Sequence, residues 1–169
     1  ERLAIIEPIY GLNKGIPTEA MIKSVYWRKR GELPKVLDPD QDQCGLIWAN
    51  GVGPLEGKNA REVVDISEKI LGRYNFEPMI SLTMITPRAF DAIISIIYDR
   101  NIAGEDERAM ICHDELLKTL ISYGYHPYRL GIQSMGKVPC DNDALKRIQR
   151  EMKNMFDPRH VIAPGRYEF

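Results

Sequence analysis

The sequence has few cysteines, no long apolar run and almost no net charge. Each of these three features excludes a class of protein. Its three cysteines, Cys44, Cys112 and Cys140, include no CxxC pair, which excludes a disulfide-dense scaffold and a zinc ribbon. The apolar stretches are far shorter than the roughly 18 residues that a membrane span needs. With 23 basic and 24 acidic residues, the chain also lacks the basic excess of nucleic-acid or anionic-membrane binders.

What is present is enough apolar sequence for one core, 44% of 169 residues. A chain of this length buries about 70% of the surface that its unfolded form exposes, so its core needs no metal or disulfide. The start, Glu1-Arg2-Leu3, is not a signal peptide, and there is no initiator methionine. We therefore expect a soluble part of a longer chain, from either the cytoplasm or the periplasm.

Hydrophobic periodicity predicts short strands and helices along the whole chain. Strands are expected at 3–10, 44–49, 79–86 and 90–99, the last being rich in isoleucine. Helices are expected at 17–30, 59–72, 104–123 and 141–155, with Asn59 and Glu62 as a capping box and Asp141 as a cap. The order of these elements predicts an α+β fold, a ferredoxin-like antiparallel sheet covered by helices, followed by a C-terminal helical segment.

Two further patterns are too unspecific to indicate a function. The glycine-rich segment 51–57 lacks the Gly-Lys-Ser/Thr ending of a phosphate loop and the GxGxxG pattern, so we expect an irregular loop there. His113, His126 and His160 are scattered, and no spacing brings metal ligands together. The sequence therefore predicts no metal site, and no Gly-x-Ser-x-Gly or cysteine nucleophile motif supports a hydrolase.

A cluster of hydrogen-bonding side chains follows the third predicted helix, at Tyr125-His126-Pro127-Tyr128-Arg129. It lies between the glycine that ends the helix and an apolar segment, where a fold can direct side chains into a cleft. The alternative is structural, an aromatic ring packed under an arginine in a cation–π contact worth about 1 kcal/mol. Composition alone leaves both interpretations open.

The C-terminal sequence Phe156-Asp157-Pro158-Arg159-His160-Val161-Ile162-Ala163-Pro164-Gly165-Arg166 resembles the closing signature of FAD-linked oxidases of the vanillyl-alcohol oxidase and 4-cresol dehydrogenase family. In that signature an amphipathic helix runs into D-P-x-x-I/V-I/L-A-P-G-K/R. The Tyr128-Arg129 pair is similar to the Tyr-Arg pair that these enzymes place at the substrate phenol. Pro87-Arg88 before an apolar strand is similar as well, and the resemblance runs from about Gly15 to Arg166.

This resemblance implies that residues 1–125 are part of a substrate-side cap domain. Residues 126–169 would be the closing segment of an FAD-binding domain whose main part lies upstream. Tyr128 and Arg129 would be catalytic and hold a phenolate, and Ala163, Pro164, Gly165 and Arg166 would pass near the flavin. The chain by itself is expected to bind FAD weakly and to be inactive.

The implied reaction is the oxidation of a para-substituted, 4-cresol-like phenol by hydride transfer to the flavin, which supplies the redox chemistry. A phenol has a pKa of about 10, and a nearby cation lowers it by about 1–3 units. The Arg129 guanidinium is permanently charged, and the Tyr128 hydroxyl can donate a second hydrogen bond to the same oxygen. Both side chains therefore suit the stabilisation of a phenolate.

The sequence also departs from the family pattern. Some relatives attach the flavin covalently through a His or Tyr on the strand that corresponds to 44–49, and this stretch has neither, so we expect noncovalent FAD. Asp91-Ala92 stand where vanillyl-alcohol oxidase-like chains carry a His-His pair, which leaves the substrate open. A cytochrome c electron acceptor and a homo-oligomer also stay open.

Two alternatives to phenol oxidation remain. The Ala-Pro-Gly ending alone also permits an FAD-linked oxidase of a hydroxy acid or polyol. A non-catalytic ferredoxin-like binding module is compatible with the predicted elements. In the leading interpretation the partners are a phenolic small molecule and the N-terminal FAD-binding part of the same protein.

Overall fold

The computed structural model describes residues 10–11, 14–19, 21–136 and 142–165 of the chain. In these ranges the elements follow in the order β1 (Cys44–Pro54), α1 (Gly57–Arg73), β2 (Met79–Thr86), β3 (Ala89–Asp99), α2 (Glu105–Ser122) and α3 (Asp143–Phe156). Short 3-10 helices lie at Ile22–Tyr26 and Ile132–Ser134. The predicted strand 3–10 lies outside the described residues apart from Tyr10, and so does Asp141. No helix within the described ranges is long and apolar enough to cross a membrane.

The strands form one antiparallel sheet in the order β1-β3-β2. The central strand β3 pairs with β1 from Cys44↔Asp99 to Pro54↔Ala89, and with β2 from Met79↔Ser95 onward. Pro87-Arg88 form the tight connection between β2 and β3, at the predicted break. The predicted α+β class, an antiparallel sheet covered by helices, is confirmed.

The core lies between the sheet and the two helices α1 and α2, which pack on the same face. Because side chains alternate along a strand, the even-numbered residues of β3 point to the helices and the odd-numbered ones to the opposite face. We call this opposite face the open face. The core side chains from β3, α1 and α2 include Phe90, Ile94, Ile96, Val63, Leu71, Leu116 and Leu120, all almost completely buried.

The first strand is longer than predicted, because residues 51–54 continue it instead of forming a loop. Position 53 requires glycine because two aromatic rings pack closely against the backbone there. A Cβ at this position would lie 2.8 Å from Tyr125 Cε1 and 3.1 Å from Phe90 Cζ. At Gly51 a Cβ would lie 3.0 Å from the Tyr125 Cβ. The prediction of an irregular loop is wrong for this part of the chain, since the glycines accommodate a packed aromatic ring within a regular strand.

The predicted N-terminal helix is also wrong in extent, since its described part contains only the 3-10 helix Ile22–Tyr26. The basic residues that were expected to end a longer helix bind acidic groups elsewhere in the fold. Arg28 pairs with the buried Glu105 at 2.9 Å, and Lys29 pairs with Asp99 at 2.5 Å. A buried carboxylate needs such a partner, so these contacts set the path of the segment.

Helix α1 begins at Gly57, two residues before the predicted capping box of Asn59 and Glu62. The Glu62 carboxylate accepts a hydrogen bond from the Tyr125 hydroxyl at 2.5 Å, so the capping box is wrong. Helix α3 agrees with its prediction to within two residues at each end. Its cap is the Asn142 side chain, which accepts a hydrogen bond from the third helical backbone amide at 3.0 Å.

Candidate functional site

The segment after α2 runs along the free edge of β1. The Val52 backbone N–H donates to the His126 carbonyl oxygen at 2.9 Å, which makes a single antiparallel bridge. Two residues further on, the Tyr128 backbone N–H donates to the Asn50 side-chain oxygen at 3.1 Å. Since Asn50 is itself buried, these two hydrogen bonds fix the position of the segment along the edge of β1.

Tyr125 anchors the start of this segment. Its ring is buried over the glycines of β1, and its hydroxyl donates to Glu62 of α1. Burial and this hydrogen bond raise the pKa of Tyr125 to about 12, so the phenol stays neutral. Of the predicted cluster 125–129, this residue is therefore structural, and it positions the residues that follow.

Tyr128 and Arg129 lie next to each other at the surface. The guanidinium carbon of Arg129 is 5.3 Å from the centroid of the Tyr128 ring, the cation–π contact of the structural alternative. Tyr128 is 53% exposed. Among the described residues, Arg129 has no hydrogen bond or ion pair, so its N–H donors are available to an anion.

Arg129 also lines a cleft of about 630 Å³ beside the edge strand. The cleft combines aromatic and aliphatic side chains with a few polar groups, and its single ionised lining residue in the described part of the chain is Arg129. This combination suits an apolar ring that carries a negative or ionisable oxygen. Its lining residues include Leu46, Trp48, Asn50, Met110, Arg129 and Gln133.

Sequence reasoning missed a third polar group, the Asp91 carboxylate on the open face of β3. It is 4% exposed, and its Oδ1 atom is buried without a hydrogen-bond partner among the described residues. Burial raises the pKa of Asp91, and the charge of Arg129 acts in the opposite direction. An aspartate within an isoleucine-rich strand is the signal that could have identified it.

The other predicted site residues lie in the turn after α3. Ala163 and Gly165 have positive φ angles of 43° and 76°, and Ala163, Pro164 and Gly165 are exposed. No hydrogen bond, ion pair or ring contact in the described ranges joins this turn to Tyr128 or Arg129. The structure therefore does not bring the two predicted groups together, and Arg166 lies outside the described residues.

This turn has an internal order of its own. The Asp157 carboxylate accepts hydrogen bonds from the backbone N–H groups of Val161 at 3.0 Å and Ile162 at 2.9 Å. It also pairs with Lys153 of α3 at 2.8 Å. The aspartate of the closing signature thus folds the following residues back onto the helix end. In the described residues, no group of three or more His, Cys, Asp or Glu could hold a metal ion.

Comparison with known proteins finds relatives in sequence, although no protein-family model matches the chain. Over 155 residues, 92% of the chain, it is 39% identical to the 1'-carboxy-chondrochloren decarboxylase of Chondromyces crocatus. Over 123 residues, 72% of the chain, it is 27% identical to the 4-cresol dehydrogenase [hydroxylating] flavoprotein subunit of Pseudomonas putida. The chain spans about a quarter of the length of these relatives, 29% and 23%.

Two solved structures share the fold. The structure of p-cresol methylhydroxylase with substrate bound matches with a TM-score of 0.66 and 24% identity. The isoeugenol complex of 4-ethylphenol oxidase from Gulosibacter chungangensis matches with a TM-score of 0.63 and 17% identity. Each match covers 74% of this chain and 24% of the other.

The fold and the sequence relatives together define a flavin-linked oxidoreductase class of protein. Within that class, the chain is similar in sequence to the 4-cresol dehydrogenase flavoprotein subunit and shares its fold with p-cresol methylhydroxylase and 4-ethylphenol oxidase. The resemblance inferred from the closing signature and the Tyr-Arg pair is thereby confirmed.

Proposed function

We propose that the chain is the C-terminal, substrate-side part of an FAD-dependent oxidoreductase that oxidises a para-substituted phenol by hydride transfer to the flavin. The observation that supports this most is the Arg129 guanidinium, which lines the cleft with its hydrogen-bond donors unused by the described residues. Phenolic compounds also appear in the names of three of the relatives.

In this proposal Arg129 lowers the pKa of the bound phenol by about 1–3 units. Its guanidinium then holds the phenolate that forms. Tyr128 donates a second hydrogen bond to the same oxygen through its hydroxyl, which is exposed beside the guanidinium. Negative charge on the ring oxygen promotes the loss of hydride from the benzylic carbon of the para substituent. The flavin, when bound, supplies the hydride acceptor.

The described residues fit the flat ring of a flavin better than its pyrophosphate. The open face presents uncharged side chains such as Trp48, Ser81 and Thr83, on which a planar ring can lie. The glycine-rich residues that could have cradled a phosphate are part of β1. We therefore propose that the N-terminal part of the full-length protein binds the pyrophosphate, with Ala163, Pro164, Gly165 and Arg166 near the flavin.

We further propose that the FAD is noncovalent, because β1 contains neither histidine nor tyrosine. Denaturing the purified full-length protein with acid should release the flavin into the supernatant. Flavin that stays with the precipitated polypeptide would contradict this.

The electron acceptor is open to a direct test. Because the Pseudomonas putida relative is named a flavoprotein subunit, we propose a partner subunit, a cytochrome c, for the full-length protein. Anaerobically reduced enzyme should be reoxidised faster by cytochrome c than by oxygen, and the opposite order would indicate an oxidase.

Replacement of Arg129 by alanine in the full-length protein tests the central proposal. The loss of a charged hydrogen bond made in the transition state should cost about 3 kcal/mol, a fall of about 100-fold in kcat/KM with a 4-alkylphenol. Arg129→Lys should retain part of the activity because it keeps the charge. Arg61→Ala, an exposed arginine of α1, is the matched control and should have no effect. Unchanged kcat/KM in Arg129→Ala would exclude the assignment.

A second candidate function is decarboxylation, favoured by the 39% identity to a decarboxylase. The same guanidinium can bind a carboxylate through two parallel hydrogen bonds. Full-length protein can be mixed anaerobically with 4-cresol and, separately, with carboxyl-labelled 4-hydroxyphenylacetate. Flavin bleaching by 4-cresol without labelled CO₂ from the acid supports phenol oxidation, whereas release of labelled CO₂ supports decarboxylation.

A further inference from the structure

Asp91 has a buried carboxyl group whose Oδ1 atom the described residues leave without a hydrogen bond. A carboxylate transferred from water into a protein interior is normally paired or hydrogen-bonded, because its desolvation is costly. Asp91 is almost fully buried, and its Oδ1 atom has no partner in the described part of the chain. Such an atom in a stable fold calls for an explanation.

Strand pairing places Asp91 one strand away from the segment that carries Arg129. In the sheet it lies beside Val52, and Val52 is bonded to His126 of the segment that carries Arg129. Arg129 is the one charged side chain in the described residues that acts on the Asp91 carboxylate, yet the two groups form no ion pair. Arg129 also lines the cleft, so the same cation serves the Asp91 carboxyl and the cleft.

We propose that the Asp91 carboxyl takes up a proton when an anion binds at Arg129 and releases it when the anion leaves. This rests on the proposed function, because it needs an anionic ligand on Arg129. In the empty site, the guanidinium is the counter-charge that keeps Asp91 ionised. A bound anion neutralises the guanidinium and brings a negative charge close to Asp91. Both effects favour the protonated carboxyl.

For a phenol the proton balance closes within the site. The O–H bond of the phenol breaks, the phenolate stays on Arg129, and an O–H bond forms on the Asp91 carboxyl, so no proton reaches the solvent. Asp91 is thus a positioning residue. It acts through Arg129, because its change of charge offsets the charge of the anion that Arg129 binds.

Few other groups can account for such a proton. The strand neighbours of Asp91 are Val52 and Thr83, which do not titrate, and the helices lie on the other face of the sheet. The covering segment contributes Arg129, Tyr128 and His126. His126 is the imidazole of this segment, so His126→Gln is the necessary control.

The test is calorimetric titration of the full-length holoprotein with benzoate, in two buffers of different ionisation enthalpy, from about pH 5 to about pH 9. Benzoate has a fixed charge in this range, so any proton taken up comes from the solvent and goes to the protein. Wild-type protein should take up as much as about one proton per benzoate at some pH in this range. Asp91→Asn should take up none, and its benzoate affinity should not change with pH. Equal uptake in wild type and Asp91→Asn, or no uptake at any pH, would overturn the proposal.

Phenol supplies the opposite arm of the test. Phenol lacks the para substituent whose benzylic carbon would be oxidised, and wild-type protein should bind it as phenolate without releasing a proton. Asp91→Asn should release about one proton per phenolate bound, because its amide cannot accept one. If Asp91→Asn does not fold, infrared difference spectra of the wild type decide. A protonated carboxyl C=O band should appear on benzoate binding, and its absence would exclude Asp91 as the acceptor.

The outcome for this inference is separate from that for the proposed function. If benzoate and phenol bind equally well to wild type and Arg129→Ala, the anion site itself is wrong. If binding depends on Arg129 but proton uptake does not depend on Asp91, the anion site stands and the role of Asp91 fails. His126→Gln should keep the wild-type uptake, and its loss in that variant would assign the proton to the imidazole.

Discussion

At the scale of single residues, Tyr125 decides where the candidate site lies. It joins α1, β1 and the segment with Tyr128 and Arg129, through a hydroxyl bond to Glu62 and a ring packed on Gly53. A side chain at Gly53 would occupy space that the ring fills. The position of the guanidinium therefore depends on a glycine that is far from it in sequence.

Gly53→Ala should destabilise the protein by about 1–3 kcal/mol, because the added Cβ would lie 2.8 Å from Tyr125 Cε1 and the ring would have to move. The measurement is the thermal unfolding midpoint together with substrate affinity. Gly72→Ala is the matched control: nothing lies within 4 Å of its Cβ, and alanine in a helix should stabilise by about 0.5–1 kcal/mol. An unfolding midpoint for Gly53→Ala equal to that of the wild type would show that the packing is not tight.

At the scale of elements, Asp157 of the closing signature holds the turn that follows α3. Lys153 and the N–H groups of Val161 and Ile162 stabilise the ionised Asp157 and lower its pKa from 3.8 to about 2. Because the pKa is lower in the folded state, the contribution to stability is present above about pH 4. It is lost as the pH falls toward about 2, where the carboxylate is protonated.

The amide protons of Val161 and Ile162 should therefore lose protection from hydrogen exchange between about pH 4 and about pH 2. Exchange rates must first be corrected for their intrinsic pH dependence. Asp157→Asn should show weak protection at all pH values, since it removes the charge, while amides in the middle of α2 serve as an internal control. Protection in Asp157→Asn equal to that of the wild type at neutral pH would show that the carboxylate does not hold this turn.

At the scale of the whole molecule, α3 presents an apolar stripe that the described residues leave uncovered. None of its residues is buried, and the large apolar ones are between 45% and 71% exposed. Apolar residues that recur at helical spacing normally face a core. Since the chain spans about a quarter of its relatives, we propose that the N-terminal FAD-binding part covers this stripe. The stripe consists of Leu145, Ile148, Met152, Met155 and Phe156.

Ile148→Glu in the full-length protein should lower both flavin content and the unfolding midpoint, because it places a charge in that contact. Burial of a side chain of this size contributes about 1.5–3 kcal/mol, and an unpaired charge adds a further cost. Arg147→Glu, on the polar side of the same helix, is the control and should retain flavin. If the two substitutions have equal effects, or if neither has an effect, the proposed contact between the stripe and the FAD-binding part is wrong.

The elements whose pattern is local could be predicted from the order of residues alone. Strands β2 and β3 and helices α1, α2 and α3 follow from apolar residues at a spacing of two or of three to four, because burial of one face imposes that period. The closing signature and the Tyr128-Arg129 pair were also sufficient to predict the resemblance to 4-cresol dehydrogenase, since both are short contiguous motifs.

The other features follow from the three-dimensional fold, because they depend on residues distant in sequence. The length of β1 was set by Tyr125, which needs two glycines in the strand beneath it. The path of the N-terminal segment was set by a buried carboxylate that needs a cation. The burial of Asp91 one strand away from the segment of Arg129 required the pairing of strands that are distant in sequence. Desolvation and close packing act between neighbours in space, and no periodicity along the chain encodes which residues those are.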